Sequence, residues 1–164
     1  MKKNITFISS SPCFWDSHQT IFESFSQDNN YTVKVVANDI DFFHQKNIDA
    51  IPIYNNKKFF NLNRLSSDLI FRDLPYCPQF DINTKGYTLS NLRGNPKICH
   101  IPYGMLLGVV EKKFFAHPFF DRCWKVFLDS EFKKNLVGKF YDSKVLNDKF
   151  IVSGYPKHDA YLDD

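Results

Sequence analysis

The densest run of side chains able to do chemistry lies near the end of the sequence, at Ser153-Gly154-Tyr155-Pro156-Lys157-His158-Asp159. Lys157 and His158 are suited to a phosphate, and Asp159 can orient them or an acceptor hydroxyl. The same run also reads as a turn leaving a sheet, with Asp159 capping a helix that follows. His100 is a second candidate, followed by Ile101-Pro102-Tyr103-Gly104. A histidine at a strand end either acts as a general base or sits half-buried with its nitrogens satisfied. Gly104 permits a tight turn that frees the Tyr103 phenol to donate to a ligand, and packing of the turn is the competing reading. Asp129-Ser130-Glu131 opens a helix, where free N–H groups attract anions. Asp129 and Glu131 already answer that field, which favours simple capping. Trp15-Asp16-Ser17 begins the first helix: Asp16 or Ser17 caps it, and Trp15 either packs or lines a cleft.

Several chemistries are excluded by what is missing. No GxGxxG or GxxxxGK[ST] run occurs, and the sequence holds only six glycines, so a Gly-rich phosphate cradle is not expected. There is no GxSxG elbow and no HExxH. The cysteines Cys13, Cys77, Cys99 and Cys123 form no CxxC pair and have no histidine at zinc-finger spacing, which argues against a structural zinc; no metal or other cofactor is expected. The net charge is +3, and the lysine pairs Lys2-Lys3, Lys57-Lys58, Lys112-Lys113 and Lys133-Lys134 are scattered, so nucleic acid is not an expected partner. The start carries no signal-peptide h-region and no run spans a bilayer. A reducing, cytoplasmic setting is expected, with peripheral contact at the inner membrane face left open.

Short β-rich runs must position these groups. They cover residues 4–10, 31–37, 50–54, 68–72, 97–101, 124–128 and 150–153. Apolar residues Phe14, Trp15, Ile21, Phe22 and Phe25 mark a helix after the first, and residues 131–140 form another. A loop with a short helix is expected within 55–67, a short helix near 87–92, and 105–115 is ambiguous, broken at His117-Pro118. This alternation predicts one α/β, Rossmann-like domain over residues 1–164, a parallel sheet with helices on both faces. In such folds ligands sit at the carboxyl ends of the strands. Ser11-Pro12-Cys13, Leu74-Pro75-Tyr76, Pro102-Tyr103-Gly104, Asp129-Ser130-Glu131 and Gly154-Tyr155-Pro156 all fall there. The 18 phenylalanines read first as core packing.

Five segments in order resemble bacterial CDP-glycerol glycerophosphotransferase-like proteins. Ser11-Pro12-Cys13-Phe14-Trp15-Asp16-Ser17 looks like their early S-x-W-D-S helix start. Ile70-Phe71-Arg72-Asp73-Leu74-Pro75-Tyr76 resembles an I-F-x-x-x-P-Y strand end, and Ile98-Cys99-His100-Ile101-Pro102-Tyr103-Gly104 a Y-I-P-Y strand end. Val126-Phe127-Leu128-Asp129-Ser130-Glu131 and Val152-Ser153-Gly154-Tyr155-Pro156-Lys157-His158-Asp159 resemble the paired v-x-S-E and G-x-P-K/R-x-D segments. The resemblance implies the N-terminal, acceptor-side half of a GT-B fold, with the donor-binding C-terminal half expected outside this chain. It implies transfer of glycerol phosphate, or a related polyol phosphate or sugar, from a CDP-activated or nucleotide-sugar donor to a polyol-phosphate or glycan acceptor, as in teichoic-acid and capsule synthesis. The alternative is a non-catalytic α/β binding module or degenerate fragment. Substrate contacts are expected at Trp15, Asp16, Ser17, Tyr76, Gly104, Ser130, Lys157, His158 and Asp159. The family's polymerases carry an H-G-T-P loop; matching the glycines puts Tyr103 where that His would be. A phenol with a pKa near ~10 is a poor base, so His100 or Tyr103 is left to assist the acceptor hydroxyl.

Overall fold

A computed structural model describes residues 2–56, 58–74, 92–102 and 118–161. Strand β1 (Lys3–Ser9) alternates onto both faces of a sheet and is buried from Ile5 onward. The chain then turns through two short helices, α1 (Pro12–Trp15) and α2 (Gln19–Gln27), where the sequence suggested one. The break is local: Ser17 and His18 donate to Phe14 and Trp15 carbonyls three residues back, a tighter winding than an α-helix. Strand β2 (Tyr31–Ala37) follows, then helix α3 (Ile40–Gln45), which the sequence reading missed. Asp39 caps α3 by accepting from Phe42 N, and Phe43 is its one buried residue, too few for a visible stripe.

Strand β3 (Ala50–Pro52) leads into a small antiparallel pair, β4 (Tyr54–Asn55) and β5 (Lys58–Phe59), and a 3-10 turn over Leu62–Leu65. Strands β6 (Leu69–Arg72) and β7 (Lys97–His100) come next. Pro118 opens helix α4 (Pro118–Arg122), as a proline at a first helical position can. Strand β8 (Lys125–Leu128), helix α5 (Glu131–Val137), helix α6 (Ser143–Lys149), strand β9 (Phe150–Val152) and a 3-10 helix (Pro156–Tyr161) complete the order. Helix α6 was also missed; Asp142 caps it through Val145 N. The ambiguous stretch 105–115 and, but for Leu92, the expected helix near 87–92 lie outside the described residues.

Seven strands form one sheet in the order β3-β2-β1-β6-β7-β8-β9, every neighbouring pair parallel. Helices α1 to α3 cover one face through a cluster containing Phe7, Trp15, Val35, Phe43 and Phe71. Helices α4 to α6 cover the other through Phe120, Val126, Val137, Leu146 and Phe150. The chain moves outward from β1 to β3, then returns and moves the other way from β6. The reversal point therefore lies between β1 and β6. Among the described residues most phenylalanines lie in the core or pack against it: Phe7 stacks on Phe71 at 4.7 Å, and Trp15 meets Phe43 edge-on at 4.7 Å. Such pairs add about 0.5–1.5 kcal/mol beyond the area they bury.

Candidate functional site

Because all seven strands run the same way, their carboxyl ends share one edge. At the reversal point two of these ends are joined. Asp73, just past β6, is fully buried. Its Oδ2 accepts from Ser10 N at 2.6 Å and its Oδ1 from Ser10 Oγ at 2.9 Å and Leu74 N at 2.7 Å. Ser10 is held from the other side too: its carbonyl accepts from Asn38 Nδ2, past the end of β2, at 2.8 Å. The loop after β1 is thus tied to both neighbouring strand ends. Beyond Ser10, Ser11 Oγ lies 3.1 Å from the exposed Cys13 Sγ. Burial raises the Asp73 pKa to about 6, against the lowering by its bonds to Ser10 and Leu74 and by the Arg72 charge.

His100 lies on the opposite face, at the end of β7. Its Nδ1–H donates to the Arg72 carbonyl at 2.9 Å, since a carbonyl can only accept. Phe119 and Phe120 close on the ring edge-on, at 5.5 and 5.7 Å. Burial lowers its pKa to about 4. As placed, this imidazole is neutral and a weak base, so of the two readings of His100 the buried, hydrogen-bonded residue describes it better than the general base. Arg72 is buried beside it, its guanidinium 5.8 Å from the Phe119 ring.

The other expected contacts divide clearly. Trp15 is a correction: its indole is fully buried among Phe7, His18, Phe22 and Phe43, so it touches no ligand as placed. Ser17 is buried as well. Asp16 and Lys157 are brought together, but with each other: Lys157 Nζ lies 2.9 Å from Asp16 Oδ2. The ion pair fastens the final 3-10 helix, which packs on α2, to the α1–α2 turn. Ser130 accepts from Lys133 N and donates to Asp129, which also pairs with Lys133, so the capping reading holds there. His158 and Asp159 are exposed, the His158 ring against Tyr155 at 5.3 Å. Gly154 has φ +80°, the left-handed geometry that releases the chain from β9. Tyr76, Tyr103 and Gly104 lie outside the described residues.

Asp73, Arg72 and Ser10 are not among the candidates that the sequence singles out. Arg72 and Asp73 stood inside a quoted segment as spacers. A charged pair ending an apolar strand was the available signal, because charges are seldom buried without a reason. Among the described residues, no three His, Cys, Asp or Glu side chains gather as a metal site. Nor is any helix there long and apolar enough to cross a membrane.

The comparisons agree with this architecture. The chain is similar to UDP-GlcNAc 2-epimerase from Neisseria meningitidis, solved with UDP-GlcNAc bound: TM-score 0.62, 14% identity, over 98% of this chain and 49% of that one. It is similar also to S. aureus MnaA, solved with UDP: TM-score 0.62, 13% identity, over 94% of this chain and 44% of that one. No protein-family model matches the sequence, and no curated protein matches it. The chain has the Rossmann-like α/β fold of GT-B-like enzymes and spans about half the length of these structures.

Proposed function

We propose that this chain is the acceptor-side half of a two-domain, GT-B-type transferase that uses a nucleotide-activated donor. The reaction is attack by an acceptor hydroxyl, which gives up its proton, on the β-phosphorus of a CDP-polyol with CMP leaving, or on the anomeric carbon of a nucleotide sugar with the nucleoside diphosphate leaving. The polyol-phosphate version rests on the sequence resemblance; the nucleotide donor is supported further by the UDP and UDP-GlcNAc bound to proteins of the same fold. One observation carries the reading. Seven parallel strands deliver Ser10, Ser11, Asp73, Ser130, His158 and Asp159 toward one edge, and the fold matches about half of a larger chain whose structure holds a nucleotide sugar. On this reading the loop after β1 and the exposed His158 and Asp159 face the acceptor. The donor is gripped by a second domain across the cleft. Transfer needs both walls, since much of the rate comes from holding the two reactants together.

The test has two parts. Isotope-labelled protein is titrated with sn-glycerol 3-phosphate, CDP-glycerol and UDP-GlcNAc while amide shifts are followed. The polyol phosphate is expected to move amides at the carboxyl edge, including Ser11, Ser130 and Gly154. Shifts confined to the opposite end of the sheet, or none with any of the three, sink the proposal. Incubation of the chain alone with CDP-glycerol and acceptor is expected to give no transfer; turnover by this chain alone contradicts the half-site reading. The buried, weakly basic His100 favours one rival, a binding module without chemistry. That rival gains if ligand binds at the edge but no transfer follows when a donor-side domain is supplied.

A further inference from the structure

We propose that Asp73 is the positioning residue of the carboxyl edge: through Ser10 it sets the shape of the loop over residues 10–13. The inference rests on the proposed acceptor-side reading for its functional meaning, and on geometry for its physical content.

Ser10 has three polar groups, and strand ends on both sides claim all of them. Its N–H and Oγ–H donate to the two oxygens of Asp73, and its carbonyl accepts from Asn38. Asp73 also accepts from Leu74 N, so one carboxylate organises the segment after β1 and the segment after β6 together. The tie spans the place where the sheet reverses direction, which is where doubly wound sheets open a crevice. A surface cap would not require a carboxylate with no exposure, whose burial alone is unfavourable. Three donors converge on it, and bonds to a charged acceptor are stronger and more directional than neutral ones. The loop they fix carries the Ser11 hydroxyl and the Cys13 thiol at the crevice mouth. Neither serine of the loop has to search for its geometry when a ligand arrives, which is the advantage of preorganisation.

The group is also titratable. Its pKa is raised to about 6, and Arg72 on the same strand is the only charge among the described residues that acts on it. The loop after β1 offers it hydroxyl and amide donors, and the end of β2 contributes the uncharged Asn38. Ionised, the carboxylate accepts all three bonds. Protonated, one oxygen becomes a donor and the Ser10 contacts weaken. The loop therefore holds its shape above pH 6 and loosens below it.

The experiment follows the Ser10, Ser11 and Cys13 amides of the ligand-free chain between pH 4.5 and 8. The expected result is a shared titration with a midpoint near 6, largest at Ser10. It is abolished in Asp73→Asn, where an NH2 faces the Ser10 N–H donor against donor. In Ser10→Ala, which removes one stabilising bond, the remaining loop amides titrate with a higher midpoint. Wild-type amides that stay flat, or that still titrate near 6 in D73N, overturn the proposal. So does a D73N loop whose amide shifts match those of the wild type at pH 8. A second measurement links the tie to the site. The affinity for sn-glycerol 3-phosphate should fall about tenfold in D73N at pH 7.5, the scale of losing charged hydrogen bonds, and lose its acid-side pH dependence. Undiminished affinity also counts against it. Absence of wild-type binding would instead strike the acceptor-side reading, because the amide titration needs no ligand.

Discussion

At neutral pH the His18 imidazole is uncharged and fully enclosed, meeting Phe7, Trp15 and Phe71 edge-on. Neither ring nitrogen has a hydrogen-bond partner among the described residues. Burial first, and then the His100 ring, lower its pKa from 6.5 to about 3. The unfolded chain takes up that proton at a pH where the folded chain does not. Stability is therefore complete above pH 6.5 and is lost as pH falls from there toward 3. His100, lowered to about 4, adds to the same trend. Asp73 opposes it: with its pKa raised from 3.8 to about 6, the folded state binds the extra proton, and stability falls as pH rises across that window. Two histidines outweigh one aspartate, so the chain loses stability on mild acidification. His18→Phe should gain stability at pH 7, because an unpaired buried polar ring is replaced by an apolar one. It should also remove on the order of 2 kcal/mol of the loss between pH 7 and pH 5. Urea unfolding at the two pH values checks this; an unchanged pH difference in H18F contradicts it.

Short helices here depend on their first turns. Helix α6 buries no residue fully and has seven residues, too few to be stable by propensity. Asp142 supplies what propensity does not, accepting from Val145 N at 2.9 Å. Asp142→Ala should cost about 1 kcal/mol and lower the melting temperature by a few degrees, read by thermal circular dichroism. A larger loss is not expected, since Leu146 still packs on the core of that face. Elements with two or more apolar residues at regular spacing, such as β2 and α5, were legible in the sequence. Helices α3 and α6 were not, because their cap residues Asp39 and Asp142 carry the signal and each helix shows scarcely an apolar stripe. The α1–α2 break was invisible for a related reason. The apolar run from Phe14 to Phe25 continues across it, and only the tight turn at Ser17 and His18 marks the change.

Over the whole molecule, the two tryptophans report on opposite environments. Trp15 is completely buried in the core under α2, whereas Trp124 is 42% exposed with Lys97 Nζ 4.1 Å from its ring. Trp124→Phe should leave a single, blue-shifted emission that acrylamide quenches poorly until the chain unfolds. Strong quenching of that variant in its native state would mean that the aromatic core is not closed. Trp15 thus serves the packing of the domain and not its carboxyl edge. The Asp16–Lys157 pair joins the first helical turn to the last described element.

The parallel sheet flanked by helices and the edge at which its strands terminate were determined by the sequence alone. Alternating apolar runs, turn residues and caps are short-range properties, and they carry the direction of every strand with them. Which side chains that edge presents was decided only by the tertiary structure. Strand order places β1 beside β6 and so brings Ser10 onto Asp73, 63 residues away, while it folds Trp15 inward and closes Phe119 over His100. Burial and partnership depend on contacts between distant segments, and no local pattern encodes how much of a polar group's surface the rest of the chain will cover.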